Sequence, residues 1–313
     1  MSRPWREAWQ EGLYGPAGLY RRDEPHAHFS TATSPGLVDV LADAVVALCR
    51  EERLGSVVDV AGGGGELAAA VCVRAPDLDV TCVEVRPRPV GLSERVRWVR
   101  SPGGPALPDD VGPLCDVLVL AHEWLDNVPC VIAERVDGEL REVLVAPDGS
   151  ERLGPPVAAP DLAWAQRWWP DGHRVEIGRA RDEAWTALLS RVDTGLVVAV
   201  DYGHLREARP VDGSLTAYRS GTVVVPVPDG SRDLTAHVAV DSLTHDRLLT
   251  QRELLHALAL VPERPARELA TADPAAYLHA LARRSAVTAM TDPGGLGGFW
   301  WVLARRDGPG AAD

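Results

Sequence analysis

Between residues 37 and 122 two kinds of apolar pattern alternate. Leu37, Val40, Leu41, Ala44, Val45 and Leu48 recur at helical spacing within "SPGLVDVLADAVVALCREE". "SVVDVAG" follows, short and almost continuously apolar, the pattern of a parallel strand covered on both faces. "GELAAAVCVRAP" returns to helix and stops before Pro76. "DVTCVEV", "RVRWVR" and "CDVLVLA" predict a second, third and fourth strand. Strands alternating with helices at this spacing predict an α/β fold with a doubly wound, mostly parallel sheet.

The pattern then changes. "CVIAERVDGELREVLVAP" predicts a hairpin turning at Asp137-Gly138. A Trp-rich segment follows, and residues 130–178 read as an insertion into the sheet. The sheet resumes with a helix near 179–192 and the strand "GLVVAVDYG". An irregular stretch, 204–238, precedes two helices near 246–260 and 273–289, and "GFWWVLARR" supplies a last strand. The first 35 residues read as irregular, rich in aromatics and turn formers. The expected division is 1–36 as an N-terminal segment, 37–129 as the core, 130–178 as the inserted subdomain, 179–306 as the remainder of the core, and 307–313 as a disordered tail.

Composition narrows the function classes. The formal charge of −13 disfavours nucleic acid and anionic membranes as partners. No apolar run approaches the ~20 residues that span a bilayer, and the N-terminus lacks the apolar core of a signal peptide. The five cysteines are odd in number and form no CxxC pair, which predicts a reducing cytoplasm without disulfides or a metal site. Cys72, Cys82 and Cys115 sit in apolar runs and are expected to be buried. The Ala, Arg, Gly, Pro and Val bias suggests a GC-rich bacterial genome.

The candidate chemistry begins where the first strand meets its helix. "VVDVAGGGGELAAAV" reads D-x-A-x-G-x-G through Asp59, Ala61, Gly63 and Gly65. It is either a plain turn or a loop that brings a nucleotide-like ligand against the backbone and a helix N-terminus. Glu84, at the end of the second strand, is placed to accept hydrogen bonds from both ribose hydroxyls of an adenosine. The third glycine of a dinucleotide motif is missing, Leu67 standing there, and no P-loop lysine is present. The spacing fits S-adenosylmethionine (SAM), whose cationic groups suit Asp59, Glu66 and Glu123. After the fourth strand, "LAHEWLDNVP" gathers His122, Glu123, Asp126 and Asn127. Glu123 and Asp126 can hold or deprotonate an acceptor; Asp126 can equally cap a helix.

These segments resemble the MidA-like (DUF185) SAM-dependent methyltransferases, the family of a mitochondrial complex I assembly factor that methylates arginine. "HFSTATSPGLVDVLAD" resembles the family's "YFTTSPEIS", and "VVDVAGGGGEL" its "ELGPGRGTL". "LAHEWLDNVPC" is similar to "xANEFFDALPV", and "SRDLTAHVAVDSL" to "DLTAHVDFSAL". The likeness spans about residues 28–260. It implies a Rossmann-like methyltransferase fold with an acceptor-side insertion and an N-terminal segment closing over the cofactor. It implies that Ser34, Pro35, Gly63, Gly65 and Glu84 hold SAM, that Glu123 sits by its methionine end or the acceptor, and that Asp201, Tyr202, Asp233 and His237 line the acceptor side. For His237, a histidine satisfied by neighbouring backbone is the competing reading. It implies a nitrogen nucleophile, a protein arginine, as acceptor. Gly36 replaces a Glu of the family pattern, Ala61 a Gly and His122 an Asn, which leaves a non-catalytic SAM-binding scaffold as an alternative. An NAD-dependent oxidoreductase is the other.

Overall fold

The computed structural model describes residues 1–22, 33, 34 and 36–308. Seven strands form the central sheet: β1 (Ser56–Val60), β2 (Asp79–Glu84), β3 (Val96–Arg100), β4 (Val117–His122), β5 (Thr194–Asp201), β6 (Arg247–Thr250) and β7 (Trp300–Asp307). Their order is 3-2-1-4-5-7-6. β1 to β5 are mutually parallel, whereas β7 runs antiparallel between β5 and β6. This departs from the 3-2-1-4-5-6 order of dinucleotide-binding domains.

Side-chain alternation divides the sheet between two cores. Val57, Leu118, Leu120 and Val198 pack with the helices Val38–Glu52 and Glu66–Arg74 and with Leu254 and Met290. Val58, Val60, Val119, Val197 and Ala199 pack on the opposite face with Trp185 and Leu188 of the helix Arg179–Leu189. The strands are apolar at nearly every position because both faces are covered. Asp59 interrupts this pattern while remaining 2% exposed.

The chain between β4 and the helix Arg179–Leu189 builds a second, antiparallel sheet from residues 131–136, 139–145, 151–156 and 174–177, joined at its edge by Arg3–Pro4. Its first hairpin turns at Asp137 (φ 51°) and Gly138 (φ 83°), the left-handed pair that a two-residue hairpin requires.

Four expectations need correction. Residues 5–14 are helical, with Trp5, Ala8, Trp9 and Leu13 buried along one face. The predicted helix 246–260 is β6 followed by a short helix, Gln251–Ala257, started by a Thr250–Glu253 capping box. Cys115 is exposed, because it precedes β4 in the connecting loop instead of lying inside the strand. β7 extends to Asp307, paired with Thr194; the residues 309–313 of the expected tail lie outside those described.

Candidate active site

The glycine turn is built around its neighbours. Gly62 must be glycine, because a Cβ there would fall 2.6 Å from both Asp59 Oδ2 and Cys82 Sγ. Gly63 has an open Cβ position, its nearest neighbour being Glu66 Oε2 at 3.7 Å, and is required instead by a φ of 60°. Gly65, at φ 81°, caps the helix Glu66–Arg74. Ala61 also sits in the left-handed region, at φ 59°, and donates its N–H to Val83 O at 2.8 Å.

This turn opens onto a cleft at the carboxyl ends of β1, β2 and β4, lined by Asp59, Gly62 to Gly64, Glu66, Glu84, His122 and Glu123. Glu84 Oε2 accepts the Gly63 N–H and Oε1 the Arg86 N–H, each at 3.1 Å. Burial raises its pKa, against the pull of the Arg86 charge and of these N–H donors. Each carboxylate oxygen keeps further acceptor capacity toward the cleft. Asp59 is buried as well. Its pKa is pushed up to about 8, first by burial and then by the charges of Glu66 and Glu84, and Oδ2 has no hydrogen-bond partner among the described residues.

Glu123 stands at the end of β4 with φ 50°, its N–H bound to Val200 O on the adjacent strand at 2.8 Å. A non-glycine residue held in this region stores strain that the surrounding sheet must oppose. His122 Nδ1 lies 3.3 Å from Glu123 Oε1. Burial lowers the His122 pKa to about 4, so the ring is neutral near pH 7.

The remaining residues named from sequence are not all brought to this cleft. Asp126 is buried behind it. Its Oδ2 accepts the hydroxyls of Tyr202 and of Thr235 (2.7 Å for Thr235), and its Oδ1 accepts the Asn127 amide at 3.0 Å. Asp201 accepts the Leu125 N–H at 3.0 Å, and burial followed by the charges of Asp126 and Glu123 raises its pKa strongly. Asp233 accepts the Tyr20 hydroxyl at 2.6 Å, and burial pushes it up to about 8. The His237 ring packs edge-on against Tyr202 at 5.3 Å and lines a different cleft. Ser34 lies in the turn before the helix Val38–Glu52, its carbonyl accepting from Leu37 N and Val38 N, while Thr33 lines the cleft. Pro35 lies outside the described residues.

Several lining residues escaped the sequence reading. Tyr14 and Tyr20 reach the cleft from the N-terminal segment, and Gly103 and Gly104 from the loop after β3. Trp124 fixes that loop by donating its indole N–H to Gly104 O at 3.1 Å. The helical spacing of Trp5, Ala8, Trp9 and Leu13 was a usable signal for the N-terminal helix; nothing local marks Tyr14 as a lining residue.

Comparison with known proteins decides the family. A family model described as "Putative S-adenosyl-L-methionine-dependent methyltransferase" matches residues 83–254, more than half of the 313. The chain belongs to this family. It is a SAM-dependent methyltransferase, and SAM is its cofactor. The match starts at Val83 and so takes in Glu84 and Glu123 but not the glycine turn. The fold is shared with two crystal structures of Burkholderia thailandensis proteins. One, bound to S-adenosyl-homocysteine, has 22% identity and a TM-score of 0.74, covering 99% of this chain and 89% of that chain. The other, a native structure, has 23% identity with the same TM-score and coverage. No curated protein matches the chain. No helix among the described residues is long and apolar enough to cross a membrane.

The cleft fits SAM. The orphaned Oδ2 of Asp59 calls for a cation or an N–H donor, and the two oxygens of Glu84 suit a pair of hydroxyls. The exposed turn backbone at Gly63 permits close approach.

Proposed function

We propose that this methyltransferase acts on a nitrogen nucleophile, and that the nitrogen belongs to an arginine side chain of a protein, as the MidA-like resemblance implies. One observation supports the reading most: Asp59, Glu66, Glu84 and Glu123 line a single cleft, and the Arg86 guanidinium, 3.6 Å from Glu84 Oε1, offsets only part of that acidity. Such a surface favours a cationic cofactor and a cationic acceptor together.

Bound in this cleft, SAM supplies an electrophilic methyl group. The chain's own tasks are then to position the acceptor and to receive its proton. Asp59 and Glu84 hold the cofactor in this reading, with the turn 61–65 against it. Glu123 orients the acceptor nitrogen and takes its proton, its carboxylate kept at the cleft by the strained backbone and by the strand bond to Val200. Neutral His122 supports that carboxylate from 3.3 Å. Asp201 acts from behind the cleft wall by accepting the Leu125 N–H of the turn after Glu123, and Asp126 ties the same turn to the Tyr202 and Thr235 hydroxyls.

Mass spectrometry of the proteome with and without this protein tests the acceptor class: arginine methyl marks should vanish in its absence, and an unchanged arginine methylome overturns the assignment. For Glu123, turnover of Glu123→Gln should fall by about 10² or more, with SAM affinity nearly unchanged. Calorimetry and turnover on the same variant check this; a parallel fall of both would move Glu123 to the ammonium of SAM instead.

A further inference from the structure

The N-terminal helix packs with a different unit from the sheet whose cleft it helps to enclose. Trp5, Trp9 and Leu13 of the helix Trp5–Tyr14 share a core with Ile132, Val143 and Val145 of the inserted sheet and with Leu234 and Ala236 of the "DLTAHV" segment. Among the described residues, the parallel sheet and its loops contribute Val85 alone to the buried part of that core. Further ties run the same way. Arg3–Pro4 pairs with Leu144 and Val145, and the Trp5 indole donates to Glu151 Oε1 at 2.5 Å.

The helix meets the loops of the parallel sheet at the cleft itself. Tyr14 and Tyr20 each keep 8% exposure and line the cleft, with their ring centroids 5.5 Å apart. Both hydroxyls are spent on protein: Tyr14 donates to Asn127 O at 3.4 Å, and Tyr20 to Asp233 Oδ1 at 2.6 Å. What the pair offers a ligand is therefore ring surface. Gly103, in the loop after β3, lies against the Tyr14 ring, since a Cβ there would fall 2.5 Å from Tyr14 Cδ1. Arg21 donates to the Tyr14 carbonyl (2.8 Å) and to the Pro102 carbonyl of the same loop (3.3 Å).

The walls of the cleft thus come from two units. The glycine turn, Glu84 and Glu123 belong to the parallel sheet, whereas Tyr14 and Tyr20 are held by the unit built on the inserted sheet. We propose that the Tyr14 and Tyr20 rings are cofactor contacts carried by this second unit, so that cofactor binding and the seating of the N-terminal helix reinforce each other. The coupling is reciprocal. Affinity that the rings add is lost when the helix lifts, and bound cofactor holds the helix down by the same factor. The proposal depends on SAM as the cofactor and on nothing about the acceptor.

Hydrogen exchange on the full natural chain, with and without saturating S-adenosyl-homocysteine, reads this coupling without any variant. Amides of the helix Trp5–Tyr14 should exchange about tenfold more slowly with the ligand bound. The exposed helix Pro274–Met290, which does not line the cleft, should be unchanged. Equal slowing in the two helices, or none in Trp5–Tyr14, overturns the proposal. Calorimetry supplies the reciprocal quantity. Tyr14→Leu removes the ring and should weaken S-adenosyl-homocysteine binding by about the same tenfold. Tyr14→Phe keeps the ring and should stay within about threefold of the natural affinity. Natural affinity in Tyr14→Leu, or an equal loss in both variants, overturns the assignment of the ring. Ligand-dependent slowing should also shrink in Tyr14→Leu; a destabilised variant with full slowing would leave Tyr14 a structural residue only. If Tyr14→Leu does not fold, exchange on the natural chain decides alone.

Discussion

Glu84 and Ala61 show how a single residue settles local energetics. Glu84 faces the cleft with two oxygens that each already accept a backbone N–H. Hydrogen bonds to a charged group contribute ~1.5–3 kcal/mol, so Glu84→Ala should weaken SAM binding by at least about tenfold; calorimetry showing equal affinity would remove Glu84 from the ribose. Ala61 carries a methyl at φ 59° where the family pattern has glycine. The left-handed region costs a non-glycine residue roughly 1–2 kcal/mol. Ala61→Gly should therefore raise stability by about 1 kcal/mol net of glycine's extra chain entropy, seen as a small rise in melting temperature without loss of SAM affinity. Both positions were legible in the sequence, since a strand end and a turn fix where such side chains lie. Asp126 was not: its type and its place after β4 suit either a base or a buried anchor, and only packing chose the anchor.

At the scale of elements, one buried side chain ties the helix Arg179–Leu189 to the site. Arg181 is 1% exposed and donates to the carbonyls of Asp126 (2.7 Å), Val128 (3.2 Å) and His237 (2.8 Å). It thereby joins the chain after β4 to the "DLTAHV" segment. Lysine has no planar fork and cannot reach all three carbonyls. Arg181→Lys should lower stability by about 2 kcal/mol, measurable by urea unfolding, and should weaken activity through misplacement of Glu123. The parallel strands were readable as elements because burial on both faces leaves an unbroken apolar run. β6 was not, because "RLLT" runs directly into helix-forming sequence and becomes a strand only by pairing with β7, Leu248 opposite Val302. The N-terminal helix was missed for a related reason, its apolar face being finished by partners such as Leu234, whose carbonyl accepts the Trp9 indole N–H at 3.0 Å.

The molecule as a whole carries buried carboxyl groups whose protonation couples to folding. Asp233 titrates at about 8 in the fold, against about 3.9 for an exposed aspartate. Between those values the native chain holds a proton that the unfolded chain has released, so this contribution to stability is full below pH ~4, declines as pH rises and is lost by about pH 8. Asp233→Asn keeps an acceptor for the Tyr20 hydroxyl and removes the titration. The variant should unfold less readily than the natural chain at pH 8, by on the order of 2 kcal/mol, and its melting temperature should vary less between pH 5.5 and 8. A pH profile parallel to that of the natural chain would show that Asp233 is ionised throughout. By itself the sequence determined the parallel sheet, the glycine turn, the acid at the end of β2 and the carboxylate after β4, because each depends on a local period or on a strand's own direction. Only the tertiary structure decided that Tyr14 and Tyr20 wall the cofactor cleft and that Asp126 and Asp233 lie behind it. Those facts depend on contacts between segments more than two hundred residues apart, and no local pattern encodes which distant side chain will remove a given group from water.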